Sequence, residues 1–341
     1  ATAGIASANA LAGCLGGLAG DSADGSTVQA TFFVFGDVAA EVAGAAASTN
    51  LLVPVGQHGH GWEPGPRVRE DIYSGELLLH GMDGFQPWVD DIRGDLDGDD
   101  ADVETVDVSA GVDLLEAGHV AEGDHDEENG EHVHEEETAG HDEEGGHAHE
   151  ETDSSPHDGH DHSGGMDPHF WMDPTRVKQA VDTVREALSG VDSDDTDTYA
   201  DNAAAYRERL DGLDDRFASA VAAGDKDVLL VAGHDAFQYF GDRYGVEIRA
   251  LTDVSPDDRP TARDITAAQE IIDEHDLSYV CADPLESQEA AEQLVAETDA
   301  EAVLPLTSLP GLQPAWADDD WGYVEVMANV NLPTIERALD V

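Results

Sequence analysis

The 341-residue sequence predicts an α/β protein of two lobes, each with a mostly parallel sheet flanked by helices and the two joined by one long helix. Three observations predict it. Short apolar runs alternate with amphipathic segments from residue 27 onward, which is the rhythm of βα units. The same rhythm restarts after residue 224. Between the halves, residues 195–223 carry Tyr199, Ala203, Tyr206, Leu210, Leu213 and Phe217 at helical spacing. At 1.5 Å per residue that helix spans roughly 40 Å, long enough to bridge two lobes.

In chain order, residues 28–35 read as a strand, 36–47 as a short Ala- and Val-rich helix, and 50–55 as a second strand. The Gly- and Pro-rich stretch 56–66 is an irregular loop. A helix over 67–73, a strand over 76–79, a helix starting within 87–92 and a strand over 103–108 follow. Asp173-Pro174 is a helix start, with Asp as the N-cap and Pro at the first helical position. Val177, Ala180, Val181, Val184 and Leu188 then mark its buried face. After the long helix come strands at 227–232, 247–252, 279–282 and 302–306, alternating with helices at 235–244, 262–276 and 286–298. Residues 323–339 read as a closing helix, kinked by Pro333. The domains expected are residues 27–190, a linker helix over 191–224, and 225–341.

Charge narrows the function classes. The formal net charge is -61, with 76 acidic against 15 basic residues. That surface excludes nucleic acid, whose phosphates need a basic partner. Self-repulsion on this scale is screened in molar salt, where the Debye length is about 3 Å, so the chain reads as salt-adapted, as in a haloarchaeon.

Two segments stand apart from the βα pattern. Residues 1–26 read as the remnant of a signal peptide followed by a Gly-, Ser- and Asp-rich tether. Within them Leu11-Ala12-Gly13-Cys14 resembles a lipobox, which makes Cys14 the expected lipidation site and the chain a cell-surface lipoprotein on the cytoplasmic membrane. Residues 118–164 carry His125, His132, His134, His141, His147, His149, His157, His160 and His162 among acids and glycines, with no Lys or Arg between Arg93 and Arg176. Lacking apolar periodicity, this insertion is expected to be a disordered surface loop with weak metal sites.

The chemistry rests on sparser histidines. His60, His169 and His234 each sit in a loop context where βα units place ligands, outside the carboxyl ends of strands or just before a helix cap. Neutral imidazoles brought together from separate loops form a dry nest for a divalent cation. Cys281, in an apolar run, reads as a buried free thiol. His80 and His275 lack such context and read as structural or exposed.

Three motifs carry a resemblance. They are Val53-Pro54-Val55-Gly56 through His60-Gly61-Trp62-Glu63-Pro64, Asp167-Pro168-His169-Phe170-Trp171-Met172-Asp173-Pro174, and Gly233-His234-Asp235-Ala236-Phe237-Gln238-Tyr239-Phe240. In this order they resemble the cluster A-I solute-binding proteins, the ZnuA/TroA-like receptors of zinc and manganese ABC importers. The likeness runs from Thr27 to Leu339. It implies metal held between two lobes on a rigid linker helix, with His60, His169 and His234 as ligands. It also implies a His-rich loop of the kind zinc-type members carry. In the loop Asp283-Pro284-Leu285-Glu286-Ser287, Ser287 falls at the fourth-ligand position, and Asp283 and Glu286 keep a carboxylate ligand open. His58 is a further auxiliary candidate, and Gly59 stands where some relatives have an acidic residue. Trp62, Glu63 and Trp171 are expected to shape the pocket, and Asp235 or a carbonyl to orient an imidazole.

The function expected is an extracytoplasmic receptor that captures Zn2+ and passes it to an ABC permease with its ATPase subunit. A monomer is expected, with the membrane reached through the lipid anchor. The alternatives are a Mn2+ or iron receptor of the same fold, a zinc hydrolase using three histidines and water, and a surface metal buffer or adhesin-like protein. No His-Glu-x-x-His helix or other hydrolase motif supports the enzyme reading.

Overall fold

A computed structural model describes residues 26–118, 165–255 and 258–341. Its two sheets are both four-stranded and wholly parallel. The first contains β1 (Thr27–Ala30), β2 (Ser48–Leu51), β3 (Leu77–His80) and β4 (Glu104–Asp107), in the order β2-β1-β3-β4. The second contains β5 (Val228–His234), β6 (Glu247–Thr252), β7 (Tyr279–Ala282) and β8 (Ala302–Pro305), in the order β6-β5-β7-β8. The two orders are equivalent. In each, the strand order reverses beside the first strand, and the crevice outside the strand ends at such a switch point is where ligands collect.

Helices α1 (Phe33–Ala43), α2 (Pro66–Tyr73), α3 (Pro87–Gly98) and α4 (Pro174–Val191) flank the first sheet. The long α5 (Thr196–Ala223) leads to the second lobe, with α6 (Gln238–Tyr244), α7 (Ala262–His275) and α8 (Glu289–Glu297). The chain ends in α9 (Pro314–Asp318), α10 (Tyr323–Val326), a π-helical segment Met327–Asn331 and α11 (Leu332–Ala338).

The α/β alternation is borne out, and several boundaries move for identifiable reasons. The run 32–35, expected in a strand, begins α1: Gly36 N–H donates to Phe32 O at 3.0 Å. Helix α1 is buried on nearly every side, so it shows no polar face to mark its period. Strand β2 ends at Leu51, before Pro54, which has no N–H to give a ladder, and Gly56, whose φ is +83°. Strand β5 runs two residues past 232, to His234, and α6 starts only at Gln238. Asp235 N–H instead donates to Asp253 O at 3.0 Å. Likewise α8 starts at Glu289, leaving Glu286 in the turn after β7 with its N–H on Asp283 O at 3.0 Å.

The Asp173 cap forms as expected: Oδ1 accepts from Thr175 N–H at 2.7 Å. The closing helix is not simply kinked at Pro333. The π segment Met327–Asn331 absorbs an extra residue before it and turns Asn331 inward.

Helix α5 packs against α1, α4, α6, α10 and α11. One hydrophobic core accordingly runs from Val28 through Trp171 and Phe217 to Leu339, spanning both sheets. At the joint, buried Asp37 of α1 accepts from the Tyr206 hydroxyl of α5 at 2.9 Å and from Tyr323 N–H at 3.0 Å. Burial, reinforced by Glu41, raises its pKa to about 7. Two loops also interlock across the lobes. Gly56 N–H donates to Leu312 O at 2.8 Å, and Gly59 N–H to Pro310 O at 2.6 Å. Gly311 approaches so closely that a Cβ there would collide with Gln57 O.

Candidate metal centre

His60 comes from the irregular loop after β2. Gln86 Nε2 pins that loop by donating to Gly59 O at 3.1 Å and to Thr31 O at 3.0 Å. The ring lies edge-on to Phe85 and Phe32, with centroids 4.8 and 5.6 Å away. A Cβ at Gly59 would lie 2.6 Å from the Phe32 ring and 2.8 Å from Pro310 O, so this backbone has no room for an acidic side chain. His169 precedes the short 3-10 turn Phe170–Met172 and is fully buried. Its Nδ1 donates to Asp167 Oδ1 at 2.8 Å, and its backbone N–H to the same oxygen at 2.9 Å. His234 is the last residue of β5, and its Nδ1 donates to Glu286 Oε1 at 3.0 Å.

The three rings converge. Centroid separations are 5.2 Å for His169–His234, 5.4 Å for His60–His169 and 6.1 Å for His60–His234. Around a tetrahedral zinc with bonds near 2.0–2.1 Å, imidazole centroids would stand about 5.2 Å apart. Two edges of the triangle are already near that value, and the His60–His234 edge is wider. Among the described residues, no group of three or more His, Cys, Asp or Glu side chains stands as placed in a geometry that holds a metal ion. The arrangement is a nest open on one side.

What marks it as a nest is its unsatisfied nitrogens. The Nε2 atoms of His60, His169 and His234 are all buried without any hydrogen-bond partner. A buried polar atom without a partner costs about 1–3 kcal/mol, and three such atoms on converging rings find compensation together in a single cation. On His169 and His234 the other ring nitrogen is held by a carboxylate, which fixes the tautomer that leaves the Nε2 lone pair free. Burial lowers the His60 pKa well below the ordinary histidine value, helped by the neighbouring imidazoles. His169 is also lowered by burial, with Asp167 opposing.

The fourth-ligand candidates separate. Asp283 is turned away: Oδ1 accepts from Leu285 N–H at 2.8 Å, while Oδ2 accepts from Thr307 Oγ1 at 2.9 Å and Ser308 N–H at 2.8 Å. Ser287 is exposed, its Oγ accepting from Glu289 N–H at 3.4 Å at the start of α8. Asp283 is thus engaged by its own turn, while Ser287 lines the cleft without facing the three histidine rings. Glu286 does face the nest, with Oε1 accepting from His234 Nδ1 and, at 3.3 Å, from His58 Nε2. Burial pushes its pKa up, but the hydrogen bonds from the two imidazoles prevail and hold it at about 2. His58 lies beside the nest, its centroid 5.3 Å from His60 and 6.4 Å from His234.

A cleft of about 1000 Å³ leads to the site, lined among others by His58, His60, Trp62, Glu63, His234 and Glu286. Trp62 stacks edge-on with Trp88 at 5.4 Å. Trp171 is buried, its indole N–H on Ser308 O at 2.8 Å, so it holds the nest from behind. Asp235, expected to orient an imidazole, instead accepts from Gln238 Nε2 at 2.7 Å. Asp167 takes that part for His169, and the Asp167-Pro168-His169 spacing was the available signal. Phe32, Phe85 and Gln86 were not legible, since nothing in their local pattern marks contact with a loop distant in sequence.

His80 is buried with Nδ1 on Gly81 O at 2.6 Å, and His275 sits in the last turn of α7. Cys281 is buried and free. Cys14 and the tract histidines His125, His132, His134, His141, His147, His149, His157, His160 and His162 lie outside the described residues. Among the described residues, no helix is long and apolar enough to cross a membrane.

Residues 28–338 match the profile of the family described as zinc-uptake complex component A, periplasmic. Zinc-binding lipoprotein AdcA of Streptococcus pneumoniae is 28% identical over 321 residues, covering 93% of this chain and 57% of the relative. High-affinity zinc uptake system protein ZnuA of Bacillus subtilis is 25% identical over 323 residues, covering 95% of this chain and 90% of the relative. The chain thus spans little more than half of the AdcA relatives. Among solved structures, the Zn(II)-bound ZnuA-like domain of Streptococcus pneumoniae AdcA superposes with a TM-score of 0.69 at 23% identity, over 93% of this chain and 100% of that one. The laminin-binding protein Lmb of Streptococcus agalactiae gives 0.71 at 18% identity, over 92% and 100%. These superpositions establish the two-lobed fold.

Proposed function

Because this chain belongs to the family of periplasmic zinc-uptake complex component A, we propose that it is an extracytoplasmic receptor that captures Zn2+ at His60, His169 and His234. It then delivers the ion to an ABC-type importer, through a permease and its ATPase subunit. The observation that carries the reading is the convergence of three imidazole rings from separate parts of the chain, each with a buried, unpartnered Nε2. Nothing is catalysed: the ion is cargo, bound and released. The relatives named for zinc binding and zinc uptake support the choice of metal.

The donor set supports it as well. Three imidazole nitrogens suit Zn2+, whereas Mn2+ favours oxygen donors. Asp283 is committed to its own turn, and Glu286 Oε1 meets His234 at Nδ1, the nitrogen opposite the inward Nε2, which leaves the nest itself nitrogen-rich. Lipidation at Cys14 would place the receptor at the outer face of the cytoplasmic membrane. The His-rich tract would supply weaker zinc sites that scavenge the ion or sense its abundance.

The test is metal identification after purification in high salt, paired with isothermal titration. One tight zinc per chain is expected, lost in the triple variant His60→Ala, His169→Ala, His234→Ala. A triple variant that still held one tight zinc would sink the assignment.

A further inference from the structure

We propose that His58 and Glu286 form a transit site for the zinc ion, a weak two-donor station on the cleft wall through which the ion reaches and leaves the three-histidine nest. The proposal rests on the nest being the tight site.

Four observations place the station. His58 Nε2 and Glu286 Oε1 stand 3.3 Å apart, a long hydrogen bond compared with the usual 2.7–3.2 Å. Two donors bound to one tetrahedral zinc at 2.0–2.1 Å stand about 3.3 Å apart, so the pair is already spaced as one edge of that tetrahedron. Both side chains line the cleft and stay partly open to it, at 23% and 20% exposure, whereas His234 is at 3% and His169 at 1%. The same Glu286 oxygen also accepts from His234 Nδ1, so one carboxylate touches both the outer pair and a nest imidazole. His58 is separated from His60 by about one ring's width, 5.3 Å between centroids.

The chemistry is ligand exchange. At present His58 Nε2–H points at Glu286. On arrival, the ion takes the place of that proton, which moves to His58 Nδ1 by way of solvent. The ion loses two of its waters to Nε2 and Oε1 and keeps the others. With only two protein donors the site is weak, so it does not retain the ion. From there the nitrogens of His60, His234 and His169 replace first the remaining waters and then the His58 and Glu286 donors stepwise; His58 Nε2 regains a proton as Nδ1 gives one up to solvent, and the buried nest never meets a fully hydrated cation. Glu286 stays bonded to His234 throughout and keeps its Nε2 facing inward.

A station of this kind speeds binding and release together and leaves the equilibrium unchanged. In stopped-flow experiments on the full chain in molar KCl, zinc is mixed at half the protein concentration, and release is started with excess EDTA. Tryptophan fluorescence reads the nest, because Trp171 lies 5.3 Å from His169. For His58→Ala, both rates should fall by about tenfold with their ratio preserved to about twofold. His58→Asp, which restores a zinc donor, should recover part of both rates. Unchanged rates in His58→Ala would overturn the proposal. So would faster release with a matching loss of affinity, which would make His58 a ligand of the nest. If instead wild type lacks a stoichiometric tight zinc, the nest reading falls and the transit site with it.

Discussion

Asp167 shows how much of the candidate site is done one hydrogen bond away from the unpartnered nitrogens. Its carboxylate holds both the ring and the backbone of His169, so Asp167→Asn keeps the shape while weakening the grip on the imidazole. Loss of such a partner typically costs 10–100-fold in metal affinity, and a drop of about tenfold or more is expected by competition titration, with the circular dichroism spectrum retained. Proton competition belongs to this scale as well. Burial holds the pKa values of His60 and His169 below the ordinary 6.5, so in the nest they take up protons less readily than free histidine. Zinc affinity should therefore fall less steeply from pH 7 to pH 6 than that of ordinary exposed imidazoles, as metal titration across that interval would show. The same shifts act on stability without metal. Their folded pKa values are depressed, so the stability they contribute is present above pH 6.5 and declines as pH falls below it toward the folded values. Melting temperatures of the metal-free chain should drop on acidification through that window.

At the scale of the element, helix ends and one irregular segment position the site. The Asp173 cap starts α4 immediately after the His169 turn, and the same carboxylate meets Arg176 at 3.0 Å and Arg243 at 3.9 Å. Asp173→Ala should destabilise the chain by about 1–2 kcal/mol, the upper part of the usual range for a lost cap, measured by urea denaturation. The π segment matters because it delivers Asn331. Its Oδ1 accepts from Thr307 N–H at 2.9 Å and its Nδ2 donates to Thr307 O at 2.8 Å, in the loop whose Ser308 O receives the Trp171 indole. Asn331→Leu leaves both Thr307 backbone groups buried and unpaired, for an expected loss of about 2–4 kcal/mol in the same assay. These details were only partly legible. Asp173-Pro174 announced its helix, because capping is local chemistry. Nothing near Pro333 announced the π segment, because its reason is a partner more than twenty residues away.

For the whole molecule, charge and the two-lobed core pull in opposite directions. A net charge of -61 on one chain repels itself, while the continuous core along α5 holds the lobes together. Lowering salt lengthens the screening distance from about 3 Å at 1 M to about 10 Å at 0.1 M, so the melting temperature should fall steadily across that range. An unchanged melting temperature would count against salt adaptation. The insertion should be separable from the fold, because its roots are tied to each other: Ala117 N–H donates to Gly165 O at 2.8 Å, and Glu116 bridges to Met166. Deleting residues 118–164 should leave one tight zinc and remove the weaker ones, and calorimetry showing loss of the tight site would refute that division.

By itself the sequence determined the α/β alternation, the long central helix, the acidic surface and the three histidines worth following, because each is written in local spacing or composition. The run 32–35 misled for the same reason: an element buried on every side carries no periodic contrast. Only the tertiary structure decided which groups face the metal nest. It turned Asp283 away, because the turn after β7 needs it for its own backbone, and it brought Asp167, Glu286 and His58 alongside. Distance along the chain hides such pairings, since a hydrogen bond between residues 58 and 286 exists only once two lobes have folded against each other.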